Sequence, residues 1–249
     1  MDSASGTRFG NAAQAYHRLR PTPPAVAVDW LTAGIPTPIT TAVELGAGTG
    51  LFTAPLAERV PTVFAVEPDA RMRGRLAAYR PGVTVLDGTA ERIPLGDGAV
   101  DAVFCHSMWH WVDPERAFPE IARVLVPGGL LAVGWTMPDR RVGWRAKLDE
   151  IAGIHGGSGR APGRFEVPPT VGFDQPAEFS QSWTLRMTTE DLVLSLATYD
   201  HVLGLSEMDR NAMLDNARTY LNGNPATSRG TIEVPFRTVC FRTQHRAHR

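Results

Sequence analysis

The chain has 249 residues, enough to bury one sizeable core, and an α/β enzyme of this length is more often one domain than two. Lysine and arginine total 25 against 26 aspartates and glutamates, so the net charge is −1. That balance argues against a nucleic-acid backbone as the main partner, because phosphate recognition needs a basic face. The opening run MDSASGTRFG has no basic region followed by an apolar stretch, so no signal peptide is expected and a cytoplasmic location is. The longest apolar stretch, Val124 to Trp135, is too short for a bilayer and is broken by Pro127-Gly128-Gly129, which argues against a membrane partner. Tyr16, His17, Arg18 and Arg20 lead into Pro21-Thr22-Pro23-Pro24, the pattern of a helix ending before prolines.

Val43-Glu44-Leu45-Gly46-Ala47-Gly48-Thr49-Gly50 is a short apolar strand running into three glycines at alternate positions. Glycine there allows a tight turn with φ > 0 and lets a ligand approach bare backbone. Val63-Phe64-Ala65-Val66-Glu67 is a second apolar strand that ends in a carboxylate, which can accept both hydroxyls of a ribose. Together they place a nucleoside across the first two strands of an open α/β sheet. The dinucleotide fingerprint G-x-G-x-x-G fits poorly, since its last position is Leu51.

Val83 to Pro94 reads as a third strand and a turn of small residues. Gly98 to His106 reads as a fourth strand, running into Ser107-Met108-Trp109-His110-Trp111-Val112-Asp113. Phe118 to Leu125 has helical spacing, Pro127-Gly128-Gly129 stops it, and Leu130 to Trp135 is a fifth strand. Alternation of helix and strand through residue 135 predicts βαβ units and a parallel sheet. Further on, Gly143 to Ile154 is expected as helix, Gly156 to Gly163 as a loop and Phe179 to Met187 as strand. Thr189 to Leu203, capped by Thr188 or Thr189, and Met208 to Leu221 are expected as helices, and Thr231 to Arg242 as the last strand. The basic tail from His245 reads as a solvated terminus, and Cys105 and Cys240 as buried free thiols.

The runs VELGAGTG, VEPD, GTAERIPL, VDAVFCHSMWHWVD and EIARVLVPGGLLAV, in that order, resemble the class I S-adenosylmethionine-dependent methyltransferases. They resemble in particular the type 11 small-molecule branch that includes trans-aconitate methyltransferase-like enzymes. The resemblance implies a Rossmann-like, doubly wound, mostly parallel seven-stranded sheet with an antiparallel last strand. It implies a lid segment over residues 1–24, a donor-binding core over 36–135, substrate-covering insertions over 136–230 and a last strand over 231–242, all in a single domain. The implied donor is S-adenosylmethionine, the product S-adenosylhomocysteine, and the partner a small-molecule acceptor methylated on oxygen or nitrogen. A free carboxylate, as in the trans-aconitate-like branch, is a variant that needs a cationic anchor such as Arg20.

The same resemblance implies site residues. Glu44, Gly46, Ala47, Gly48 and Gly50 would line the methionine part of the donor. Glu67 would take the ribose hydroxyls, Pro68, Asp69 and Met72 would flank the adenine, and Thr89 and Ala90 would meet its edge. Many relatives carry Asp at the position of Thr89, whose hydroxyl can still accept a hydrogen bond. His106 and Ser107 would meet the donor's amino group, and His106 would extend toward the acceptor. Tyr16 and Arg20 match positions that close the pocket. Trp109 and Trp144 are candidate acceptor contacts, Trp111 reads as core, and His110 is the candidate base, against a structural role for the same residue. No cluster of Asp, Asn or His at the end of strand four would chelate a metal, so none is expected. Two other classes stay open: a nicotinamide- or flavin-dependent oxidoreductase, and a non-catalytic protein that binds the donor. Oligomeric state and acceptor identity are not legible.

Overall fold

A computed structural model describes residues 12–35, 37–154 and 163–246. The expected loop from Gly156 therefore lies outside the described residues except for Gly163, as do Phe9 to Asn11 of the lid segment. Seven strands form one sheet in the order β3-β2-β1-β4-β5-β7-β6. They are β1 (Thr41–Leu45), β2 (Thr62–Val66), β3 (Thr84–Leu86), β4 (Val100–His106), β5 (Leu125–Pro138), β6 (Ala177–Thr188) and β7 (Thr231–Gln244). The first five run parallel, and β7 is antiparallel to both β5 and β6. This is the Rossmann-like sheet expected above.

The helices are α1 (residues 12–19), α2 (Ala25–Thr32), α3 (Thr53–Ala57), α4 (Ala70–Tyr79), α5 (Pro114–Val124), α6 (Gly143–Ile151), α7 (Thr189–Leu196), α8 (Asp200–Leu203) and α9 (Glu207–Gly223). One apolar layer joins α5 to one sheet face through Phe118, Ile121, Trp135 and Phe173. Val28, Leu31, Leu56 and Phe104 join α2 and α3 to the other. A third cluster, with Leu148, Leu192, Leu196 and Leu221, holds α6, α7 and α9 against the far ends of β6 and β7 as a separate cover.

Local chemistry sets the boundaries. Asp69 caps α4 by accepting from the backbone N–H of Arg71 and Met72, and Asp113 caps α5 through Glu115. Thr188 caps α7 and Ser206 caps α9 in the same way. The single helix expected over 189–203 is broken after Leu196. There the hydroxyls of Ser195 and Thr198 bond backward to the carbonyls of Leu192 and Ser195, an alternative to continued helix. The fifth strand starts earlier than expected, at Leu125, because Pro127-Gly128-Gly129 is absorbed as an irregularity between Val100 and Ala102 on β4. Gly129 is required there, since a Cβ would lie 2.9 Å from the Val126 carbonyl oxygen. The tail expected to be solvated is docked at its start: the His245 ring packs 5.0 Å from Phe173, and Arg246 donates to the Phe173 carbonyl.

Candidate functional site

The turn after β1 passes through Gly46, Gly48 and Gly50 at φ of 65°, 58° and 87°. A side chain at Gly46 would be doubly blocked, by the positive φ and by Met108, whose Cγ and Cε lie 2.8 Å from where a Cβ would sit. The N–H groups of Gly46 and Ala47 donate to the Val66 carbonyl, tying the turn to the end of β2. One residue on, the Glu67 carboxylate accepts from Gly48 N–H at 2.8 Å and Asp69 N–H at 2.9 Å. A carboxylate has about four lone-pair positions. Two are used by backbone, one on each oxygen, which leaves one on each for a pair of neighbouring hydroxyls. Burial pushes the Glu67 carboxyl up, and the two backbone donors pull against that.

Glu67 faces a cavity at the carboxyl ends of the strands, lined also by Gly46, Gly48, Pro68, Asp69, Met72, Thr89, Ala90, His106, Ser107 and Tyr16. Eleven expected contact residues thus converge from α1, β1, β2, α4, the turn after β3 and the end of β4. Glu44, Ala47 and Gly50 do not line it. Glu44 lies beneath the turn, 2 % exposed, and accepts from the Thr53 hydroxyl at 2.5 Å. Burial raises its carboxyl from 4.5 to about 8.

The segment after β4 corrects two readings. Trp109, expected to face the acceptor, is 2 % exposed and packs edge-on against Phe118 and Phe165 at 5.4 and 5.2 Å. Trp111, expected in the core, lines the cavity. Residues 109–111 form a 3₁₀ turn, which has three residues per turn, so 109 and 111 leave it in different directions. His110 is not on the cavity wall. Its Nδ1 accepts from Trp135 Nε1 at 3.3 Å, and burial lowers its imidazole to about 4. This hydrogen bond is the one that the structural alternative for His110 calls for. His106 stacks on Phe52 with ring centres 5.0 Å apart, and burial lowers it to about 4 as well. Ser107 holds φ of 57°, in the left-handed region that favours glycine.

Helix α1 contributes Tyr16 to the cavity wall. His17 Nδ1 lies 3.1 Å from the Thr49 hydroxyl, and its ring stacks on Tyr79 at 4.4 Å. Arg20 does not line the cavity. Its Nε donates to the Thr198 hydroxyl at 2.8 Å, its Nη2 to the Thr198 carbonyl, and its guanidinium lies 3.7 Å over the Tyr199 ring. It ties the end of α1 to the segment after α7. Trp144 sits in the apolar cluster of the cover, where its carbonyl accepts from the Tyr220 hydroxyl. Sequence reasoning missed Met108 and Val112 as cavity residues, and also Glu91, whose carboxylate accepts from Asp113 N–H. Apolar residues in a loop carry no signal that separates wall from core.

Glu67 and, at the β4 edge, His106, Ser107 and Trp111 line one cavity together with Tyr16 of α1. The description "methyltransferase domain" matches residues 43–133. The chain is 40 % identical over 235 residues to an uncharacterized methyltransferase of Mycobacterium tuberculosis, covering 94 % of each. It is 35 % identical over 154 residues to the malonyl-[acyl-carrier protein] O-methyltransferase of Methylococcus capsulatus, covering 57 % of this chain and 56 % of that one. The solved structure of a candidate type II methyltransferase from Anaeromyxobacter dehalogenans superimposes with a TM-score of 0.67 at 22 % identity, over 92 % of this chain and 99 % of that one.

Proposed function

The chain belongs to the class I S-adenosylmethionine-dependent methyltransferases, and from that premise we propose that it moves the donor's methyl group to an oxygen or nitrogen of a small molecule by in-line displacement. The observation that carries the donor site is the Glu67 carboxylate, held by two backbone N–H groups with one lone pair on each oxygen left toward the cavity. The residues present fit a ribonucleoside there. Glu67 takes the ribose hydroxyls, Pro68 and Met72 flank the adenine, and Thr89 and Ala90 meet its edge. The Gly46 and Gly48 backbone receives the methionine part, with Glu44, Ala47 and Gly50 shaping the turn from below.

S-adenosylmethionine, when bound, supplies a methyl group already activated by the adjacent positive sulfur. The protein's task is then to orient the acceptor and exclude water. Orientation of that kind supplies roughly 7–11 kcal/mol of a barrier. Tyr16 and Trp111, both on the cavity wall, are candidates to do both, and aromatic faces favour a cationic sulfur nearby. An oxygen acceptor is favoured by the relative named as an O-methyltransferase.

Glu67→Ala tests the donor site. It should weaken S-adenosylhomocysteine binding by the worth of hydrogen bonds to a charged group, about 1.5–3 kcal/mol or roughly tenfold to over a hundredfold. The folded state should survive, because the carboxylate is itself costly to bury. Unchanged affinity by calorimetric titration would remove Glu67 from the ribose.

A further inference from the structure

A file of polar side chains crosses the sheet from β6 to the cavity. Trp183 Nε1 on β6 donates to Thr238 Oγ1 on β7 at 2.9 Å, and Thr238 Oγ1 lies 3.0 Å from Thr136 Oγ1 on β5. Thr136 Oγ1 is 3.4 Å from His106 Nε2, and His106 Nδ1 is 3.3 Å from Ser107 Oγ. Ser107 Oγ also faces the Thr136 backbone N–H at 3.5 Å.

The direction of these bonds follows from what each atom can do. An indole nitrogen only donates. Thr238 is fully buried, and with Trp183 on one lone pair its single proton has Thr136 Oγ1 as its acceptor. The reverse direction would strand that proton among the described residues, at a cost of about 1–3 kcal/mol. Among the described residues the acceptor in reach of the half-buried Thr136 proton is His106 Nε2, which places the bare nitrogen of a neutral ring there. The ring proton is on Nδ1 and goes to Ser107 Oγ. Ser107 receives that proton's hydrogen bond, so its own O–H is left for the cavity it lines.

We propose that Trp183 sets the direction of this chain and that it presents the Ser107 hydroxyl as a donor to the methyl-accepting molecule, which is bound through a carbonyl or carboxylate oxygen. Trp183 is a positioning residue, acting through Thr238, Thr136 and His106. The chain also occupies the bare nitrogen of His106, as the Trp135 indole occupies Nδ1 of His110. Neither histidine keeps a lone pair for a proton from the acceptor, which suits a nucleophile that arrives ionised, as a carboxylate does at neutral pH. The inference rests on the donor-site reading only in placing the reacting methyl near the end of β4.

The chain is tested on the nucleoside-free protein by long-range proton–nitrogen correlation NMR of the ¹⁵N-labelled histidines. His106 should be protonated on Nδ1 and bare on Nε2 at neutral pH, and the opposite tautomer would overturn the proposal. Trp183→Phe keeps a ring beside Phe236 but removes the donor. His106 should then become a mixture of tautomers, and an unchanged pure Nδ1–H form would show that Trp183 does not set the direction. The ligand arm uses protein saturated with S-adenosylhomocysteine, titrated with formate and separately with methylammonium. Formate should shift the His106 resonances, with at least a tenfold weaker response in Ser107→Ala. An equal response in both proteins, or a stronger response to methylammonium, would overturn the donor role of Ser107. Failure of the nucleoside to bind would strike the donor site instead, and the tautomer measurements would still decide the chain.

Discussion

Glu44 is a carboxyl group that folding takes out of water, and its cost depends on pH. Burial raises it from 4.5 to about 8, so between those values the folded protein holds a proton that the unfolded chain has released. Stability from this group is full below about pH 4.5 and is lost as pH rises toward 8. Each pH unit in that window costs about 1.4 kcal/mol. Glu44→Gln keeps an acceptor for the Thr53 hydroxyl without the titration. Its stability in urea should match the wild type near pH 5 and exceed it increasingly toward pH 8. Parallel curves for the two proteins would place the Glu44 carboxyl in contact with water. At this scale the sequence was legible where backbone demands a residue type. Gly46 and Gly48 need positive φ, and Glu67 ends a strand beside them. It was not legible at Trp109 and Trp111, because chain spacing does not say that the intervening turn is 3₁₀.

Helix α1 is held by contacts distant in sequence. Arg20, just past its end, reaches the Thr198 hydroxyl and carbonyl and lies over Tyr199, while His17 holds the helix to Thr49 and Tyr79 of the donor core. Arg20→Ala should therefore release S-adenosylhomocysteine roughly tenfold faster, the kinetic equivalent of about 1.4 kcal/mol, with little change in melting temperature. An unchanged dissociation rate in stopped-flow would mean that lid opening does not limit release. The strands of the donor core were readable as apolar runs ended by glycine or a carboxylate. The cover was less so. Its break after Leu196 depends on two hydroxyls turning back on the helix, and β6 alternates exposure along its length because one face meets water.

At the scale of the molecule, the strand order reverses between β1 and β4, and the cavity opens at the carboxyl ends on that line. Open α/β sheets bind ligands at such a crevice, because neighbouring loops diverge there. Glu67 after β2, the glycine turn after β1 and His106 at the end of β4 meet at that point. The acceptor is less legible for the same reason: the cavity wall near the end of β4 is shared by Tyr16 of α1, Met108, the 3₁₀ turn and Val112, which no single motif spans. Among the described residues, no helix is long and apolar enough to cross a membrane. The central claim is that this crevice takes a sulfur nucleoside, and parallel calorimetric titration of the protein with S-adenosylmethionine, S-adenosylhomocysteine and NADH tests it most directly. Micromolar binding of both sulfur nucleosides with no heat from NADH is the expected result. Binding of NADH alone would contradict the account and return the crevice to redox chemistry.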